Sequence, residues 1–328
     1  MEVVTLSVDV IVVTYNSAPE ICACMTGVLS SADVERLIIV DNASSDDSVA
    51  KARAAGADLV IESDRNLGFA RAVNLGLKQA RADCVLLLNP DARLSGVALA
   101  SMRTTLRQEA GAAIVAPLLR NADGATTSGA GRFATLTRRV GLCVPLVGRA
   151  PHFRPEYRLP AATLTESRAL DVDYAFGAAM LLDRAFLTRT GGFDERFFLF
   201  AEDEDICRQA RAAGRRVLLD TRAVARHVGG ASCGDEFETE AQRLYSTYLL
   251  FEKWHGRRAA QVYHAGIVGA SLLRATAARA ELRPELARAI TRMSRRFNAA
   301  VRHRVHPLLA TANGAAFDAD APCEGRAP

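Results

Sequence analysis

Four places in this 328-residue sequence put ionisable side chains where chemistry could use them. Asp41 follows directly on the β-branched run Leu37, Ile38, Ile39, Val40. A carboxylate there can accept a hydrogen bond from the ring N3–H of uracil or thymine, or hold ribose hydroxyls. The competing role is an Asx turn before a helix capped by Ser45, Asp46 or Asp47. Asp91 closes the run Leu86, Leu87, Leu88, Asn89, Pro90. Hard cations such as Mg2+ or Mn2+ prefer carboxylate oxygen, and a site shared with substrate phosphates needs only one or two protein carboxylates. The alternative for Asp91 is a turn residue capping the helix at Ser95. Glu202, Asp203, Glu204 and Asp205 open a helical pattern that stops at Gly214. Adjacent helical residues point about 100° apart, so only one or two of the four can face a single cleft. The helix dipole lowers carboxylate pKa values, while crowding and burial raise them. A carboxylate in that balance is ionised yet basic enough to take a proton from an attacking sugar hydroxyl. His227, followed by Val228, Gly229 and Gly230, suits a metal ligand or a donor to a diphosphate, or else is a packed or exposed histidine.

Elements able to hold these groups alternate along the front of the chain. Val8 to Thr14, Leu37 to Val40, Leu59 to Ile61, Val85 to Leu88 and Ala113 to Ala116 are short apolar runs that predict strands. Pro19 to Ser30, Ser48 to Ala55, Ala70 to Arg81 and Ser95 to Glu109 predict helices between them. That order implies an α/β fold with a mostly parallel sheet covered by helices. Ligands of such sheets bind beyond the carboxyl ends of the strands. Four consecutive strand ends carry polar side chains there, beginning at Thr14, Asp41, Arg65 and Asn89. From about Gly111 to Pro160 the pattern weakens and predicts a loop region. Val172 to Asp183 then reads as one strand, Val217 to Leu219 as another, and residues 238–310 as mostly helical, with a break at Pro284. The expected organisation is a catalytic domain over 1–237, a helical region over 238–310 and a disordered tail over 311–328.

Composition narrows the class. A hydrophobic fraction of 49% and a charged fraction of 24% exclude a disordered, collagen-like or multi-span membrane protein. The net charge of +4 is uneven: Arg257 to Thr311 holds eleven Arg and two Glu, a local +9, which leaves residues 1–256 at −3. The front is therefore not that of a general nucleic-acid binder, and the arginine-rich rear suits anionic lipid, nucleic-acid phosphates or a solvated helical face. Seven cysteines without Cys-x-x-Cys spacing read as buried free thiols in a reducing cytoplasm, not as zinc ligands. The N-terminus lacks a basic start and cleavage site, and the uncharged stretch Ala259 to Leu273 is shorter than the roughly 20 residues of a spanning helix. No phosphate loop, Gly-x-Ser-x-Gly or dinucleotide fingerprint is present.

In order, VVTYNS, VDNASSDDS, RNLGFARAVNLGL, LLLNPDA, GGFDERFFLFAEDEDICRQARAAG and RHVGG resemble the bacterial family 2 glycosyltransferases, most closely the rhamnosyltransferase-like branch, over roughly residues 6 to 256. The resemblance implies the GT-A fold, a nucleotide-sugar donor, a divalent cation (Mg2+ or Mn2+) and inversion at the anomeric carbon. It implies that Thr14 and Asn16 line the nucleotide pocket, that Asp41 reads the base and that Asn66 and Gly68 border the nucleoside. Asp91 takes the place of the family's metal-binding aspartate, with Asn89 as the variant first position. Asp203 is the implied general base, His227 the group reaching the metal or diphosphate, and Gly177 with Glu202 the acceptor end. The implied reaction moves a sugar, L-rhamnose from dTDP-rhamnose, to a saccharide or lipid-linked saccharide in cell-surface polysaccharide synthesis. Alternatives are a UDP-sugar donor (galactofuranose, N-acetylglucosamine or glucose) and a non-catalytic nucleotide-sugar-binding protein. The rear helices suit either a peripheral contact with the inner face of the cell membrane or a homodimer.

Overall fold

A computed structural model describes residues 6–127, 129–133, 135–142, 168–227 and 236–312. The described residues form two compact units, one holding those up to 133 together with 168–227, the other holding 135–142 together with 236–312.

The first unit is built on strands β1 (Val8–Thr14), β2 (Val34–Asp41), β3 (Leu59–Glu62) and β4 (Cys84–Leu88), alternating with helices α1 (Ile21–Leu29), α2 (Ser48–Ala54) and α3 (Phe69–Leu77). These four strands run parallel in the order β3-β2-β1-β4. There follow β5 (Ala92–Leu94), α4 (Gly96–Gln108), β6 (Ala112–Arg120), the short β7 (Thr126–Thr127) and β8 (Ala130–Gly131), and α5 (Leu136–Leu142), which belongs to the second unit. The first unit ends with β9 (Ala169–Asp171), β10 (Tyr174–Ala175), β11 (Ala179–Asp183), α6 (Arg184–Thr190), α7 (Glu202–Ala212) and β12 (Arg216–His227). The sheet continues from β4 as β11-β6-β12-β5, with β11 and β5 running against the rest, so the described sheet is mixed but mostly parallel.

Strand alternation sorts the core into two layers. Val8, Val10, Val12, Leu37 and Ile39 face one layer with α1 and α4, whereas Ile11, Val13, Ile38 and Val40 face the other with α3, α6 and α7. Burial on both faces explains why these strands are continuous apolar runs. Asp9 is the exception. It is fully buried in β1, where its carboxylate pairs with Arg36 and accepts the backbone N–H groups of Arg81 and Ala82. Ser95 caps α4 by accepting from the Ala98 N–H, and Gly214 ends the α7 segment at φ 69°.

Three expectations need correction. The stretch after Gly111 is not all loop, because β6 runs nine residues to Arg120 and α5 follows at Leu136. Residues 143–160 of that expectation lie outside the described residues, as do Val228 to Gly230 and the tail from 313. Val172 to Asp183 is not one strand: it is interrupted between β10 and β11, where Phe176 and Gly177 turn toward α7. Cys24, Cys84 and Cys207 are buried free thiols, but Cys22 is exposed, lying off the face of α1 that buries Ile21, Cys24, Met25 and Val28.

The second unit contains α5, α8 (Glu236–Ala280), α9 (Pro284–His303) and α10 (Pro307–Ala312). Pro284 starts α9, and Gly256, at φ 82°, interrupts the helical backbone within α8. Tyr245, Tyr263 and Phe297 are among its buried aromatic side chains.

Among the close approaches in the first unit, that of Gly68 bears on the candidate site. Gly68 has φ 83°, and a Cβ on it would meet the Phe198 backbone oxygen at 2.6 Å and Cα at 2.9 Å. Gly68→Ala is expected to destabilise the protein by roughly 2 to 4 kcal/mol, combining a left-handed backbone penalty with an overpacked contact. Urea unfolding measures this, and a change under about 0.5 kcal/mol would show that Phe198 yields freely.

Candidate active site

The strand order creates a crevice. β1 neighbours β2 on one side and β4 on the other, so the direction of winding reverses between β1 and β4, where open sheets of this kind take ligands. Thr14 and Asp41 end β1 and β2 and are directly paired in register. Thr14 is wholly buried and Asp41 is 3% exposed. One Asp41 oxygen accepts the Ser44 N–H at 3.0 Å, the Asx-like turn foreseen as its competing role. The other, Oδ1, and the Thr14 hydroxyl are buried without a hydrogen-bond partner. Orphaned buried polar atoms are rare because each costs about 1 to 3 kcal/mol, so a pair on adjacent strand ends marks a place for a polar ligand.

The neighbouring loops are braced by their own amides. Asn16 (φ 50°) accepts the Ser45 N–H through Oδ1 at 2.8 Å and donates its own backbone N–H to the Ser44 hydroxyl. Asn66 accepts from Asn42 Nδ2 at 2.8 Å and from the Gly68 N–H at 2.9 Å, while Asn42 Oδ1 accepts the Leu67 N–H. Asn42, 4% exposed, therefore holds the loop that carries Asn66 and Gly68. Sequence reasoning gave it no such part, and its only signal was its place beside Asp41.

Antiparallel β11 brings the far part of the chain back to this crevice. Ala179 pairs with Leu88, so the turn before β11 arrives at the end of β4, and the Asn89 N–H donates to the Ala178 carbonyl at 3.0 Å. The buried Cys24 thiol donates to the Asn89 carbonyl, and burial, with the Asp91 charge adding to it, pushes that thiol up to about 12. At the edge of the sheet β12 pairs with β5, setting His227 opposite Ala92. This register brings His227 Nε2 to 3.2 Å from Asp91 Oδ1, and both side chains are mostly buried. Ser95, not Asp91, caps α4.

The four acids at the start of α7 divide as the helical geometry requires. Glu204 pairs with Arg208 at 2.8 Å, and Asp205 accepts from Gln209 Nε2 at 2.8 Å. Asp203, half-buried, accepts the Gly177 N–H at 3.2 Å and the Glu204 N–H at 2.8 Å. Burial pushes its carboxyl up to about 6, against the lowering effect of those two N–H groups. Glu202 is 7% exposed with Oε2 unpartnered, and burial, followed by the charge of Asp203, drives its pKa well above the ordinary glutamate range. The chain enters α7 through two left-handed non-glycine residues, Phe200 (φ 70°) and Ala201 (φ 68°), a backbone strain typical of functional sites.

The family model described as glycosyl transferase family 2 matches residues 9–187, more than half of the chain, and that of glycosyl transferase family 21 matches residues 160–244. The chain is 25% identical over 209 residues to a low-salt glycan biosynthesis hexosyltransferase of Haloferax volcanii, covering 62% of this chain and 61% of that protein. It is 24% identical over 262 residues to an N-acetylglucosaminyl-diphospho-decaprenol L-rhamnosyltransferase of Mycobacterium tuberculosis, covering 75% of this chain and 84% of that protein. It thus spans about three fifths of the haloarchaeal relative's length. Its structure is similar to that of the mannosyltransferase PcManGT from Pyrobaculum calidifontis in complex with GDP-Man and Mn2+, with a TM-score of 0.53 and 18% identity over 90% of this chain and 86% of that one.

The raised pKa of Glu202 has a measurable cost. An acid whose folded-state pKa lies above its unfolded value retains a proton that the unfolded chain has released, so stability falls as pH rises through that window. Glu202→Gln is expected to raise Tm at about pH 8, with the gain disappearing near pH 4, where both states are protonated. Thermal melts across pH read this directly; a gain of equal size at every pH would assign the effect to packing.

Proposed function

We propose, for a chain that belongs to glycosyl transferase family 2 and carries the GT-A fold, that it is an inverting glycosyltransferase. In this reading it takes L-rhamnose from dTDP-rhamnose and passes it to a hydroxyl of a saccharide or lipid-linked saccharide in cell-surface polysaccharide synthesis. The observation that carries the reading is one edge of the sheet with three features: the orphaned polar atoms of Thr14 and Asp41, the Asp91–His227 pair, and a half-buried carboxylate, Asp203, raised to about 6. The mycobacterial relative supports the rhamnosyl assignment.

Inversion by single displacement needs a base on the acceptor side and charge stabilisation on the donor side, with no protein nucleophile. Asp203 is the base. Near neutral pH, above its pKa of about 6, it is mostly ionised yet more basic than an ordinary aspartate, so it accepts the proton of the attacking hydroxyl. The N–H groups of Gly177 and Glu204 fix the orientation of that carboxylate. Glu202, with its unpartnered oxygen, binds the acceptor beside it. Thr14 and Asp41 bind the nucleoside, Asp41 Oδ1 accepting the N3–H of the base. Asn16, Asn66 and Gly68 shape the surrounding loops, and Asn89 positions Asp91.

Asp91 and His227 fit a divalent cation. They offer one carboxylate oxygen and one imidazole nitrogen close together; the carboxylate would hold either Mn2+ or Mg2+, and the imidazole would add a donor for Mn2+, the softer of the two. Among the described residues no group of three or more His, Cys, Asp or Glu side chains could hold a metal ion. When bound, the cation neutralises charge on the leaving nucleoside diphosphate.

For the rear unit we propose a peripheral contact with an anionic bilayer. Among the described residues no helix is long and apolar enough to cross a membrane. Val262, Leu272 and Leu273 of α8 are nonetheless more than half exposed, and residues 257–280 contain four arginines and no acid. Exposed apolar side chains flanked by arginine suit an anionic interface.

Calorimetric titration with dTDP and with UDP, each with and without Mn2+, tests the donor site. Metal-dependent preference for dTDP is expected, preference for UDP would move the donor to a UDP-sugar, and binding of neither would end the enzymatic reading. Asp91→Ala is expected to remove the metal-dependent part of that affinity. Asp203→Asn should abolish transfer and spare nucleotide binding, and in the wild type kcat/KM should fall as pH drops below about 6. Equal loss of transfer and nucleotide binding in Asp203→Asn would refute its role as base. The rear unit is tested by flotation with phosphatidylglycerol vesicles. The wild type should float, and the double variant Leu272→Asp, Leu273→Asp should not; a wild type that stays unbound would favour a homodimer instead.

A further inference from the structure

Three neighbouring strands each contribute one arginine to the same rung of the sheet. Arg93 of β5 stands opposite Arg226 of β12, and Arg226 stands opposite Arg120 of β6. All three are exposed. Among the described residues none of them forms an ion pair, and Arg226 donates only to the Ala122 carbonyl, at 3.0 Å. Elsewhere in this unit Arg36, Arg208, Arg216 and Arg222 all hold carboxylates. Directly opposed residues on adjacent strands lie about 5 Å apart, and like charges so placed are destabilising. Among the described residues this row of positive charge is therefore held without a paired acid.

The row lines an open groove of about 860 Å³, together with Ala23, Thr26 and Gly27 of α1. One carboxylate, Asp123, also lines it, so the groove has a net charge of about +2 from these groups. Successive strand residues point to opposite faces, so Arg226 points away from the face of His227, its neighbour on β12. The groove is thus separate from the Asp91–His227 pair, although it is built on the adjoining rung.

We propose that this groove binds a diphosphate group carried by the acceptor substrate, distinct from the diphosphate of the donor. Guanidinium groups present planar forks that match phosphate oxygens two at a time, and a row of three spans more than one phosphate. Binding relieves the repulsion along the rung, so the ligand restores stability that the empty row lacks. The attribution to the acceptor rests on the transferase reading above; the affinity for diphosphate does not.

The test uses the full chain and inorganic pyrophosphate, titrated calorimetrically in the presence of chelator so that no divalent cation bridges it to Asp91 and His227. One site is expected, and the double variant Arg93→Gln, Arg226→Gln should weaken it at least about tenfold, the worth of a charge-assisted hydrogen bond. The same variant should keep manganese-dependent nucleotide binding and melt no lower than the wild type, because repulsion has been removed. Absence of pyrophosphate binding, unchanged affinity in the variant, or parallel loss of nucleotide binding or stability would each overturn the proposal. Vesicles of equal surface charge, containing either a polyprenyl diphosphate or phosphatidylglycerol, separate the sources. Arginine-dependent binding confined to the diphosphate lipid supports the acceptor, and equal binding to both would reassign the groove to bilayer headgroups and overturn that attribution. Loss of sugar transfer with pyrophosphate binding intact would remove the reaction and leave the groove standing.

Discussion

Holding two adjacent carboxylates, the buried Glu202 and the half-buried Asp203, at the start of α7 is the demand on which the site depends. Ionised groups there are disfavoured, which is why both pKa values rise. The surrounding chain must hold them by geometry. The backbone enters the helix through left-handed Phe200 and Ala201, and just before them Phe198 is packed against Gly68 while its carbonyl accepts the Phe69 N–H. The Gly177 N–H reaches Asp203 from the turn before β11. The acid pair is thereby tied both to the loop that carries Gly68 and to the strand that returns to β4. A disturbance at Gly68 would be felt at Asp203, although 135 positions separate them in sequence.

The sheet order supplies the second half of this economy. Parallel strands deliver Thr14, Asp41 and Asn89 to one edge, as parallel strands must. Antiparallel β11 and the β12–β5 pairing then bring Gly177 and His227 to the same edge from the far part of the chain. Asp91 and His227 meet because of register, and a one-residue slip of β12 against β5 would turn the histidine to the other face.

Much of this was legible in the residues. The first four strands were readable because burial on both faces leaves uninterrupted Val, Ile and Leu. β6 was harder beyond Ala116, because Pro117 reads as a breaker; it is accommodated where the pairing with β12 shifts register after Asp220. Val172 to Asp183 looked like one strand because its composition is apolar apart from Asp173 and the closing Asp183, and only the tertiary bond from Gly177 to Asp203 shows why the chain turns there. Asp41 and Asp203 were identifiable as candidates, yet the features that distinguish them were not. An unpartnered oxygen and a raised pKa depend on what surrounds a group in space, and no local pattern encodes that.

Asp9 has a consequence for how the chain reaches this state. The N-terminal run Val8 to Val13 is the kind of apolar, β-branched segment that pairs promiscuously with other chains before its partners are made. Its buried carboxylate is satisfied in one arrangement, with Arg36 on β2 and the backbone at Arg81 and Ala82. Any misaligned or intermolecular pairing would strand that charge in an apolar interface, at a cost of several kcal/mol. The residue that interrupts the apolar run of this strand thus favours the native alignment over any pairing that leaves its charge without those partners.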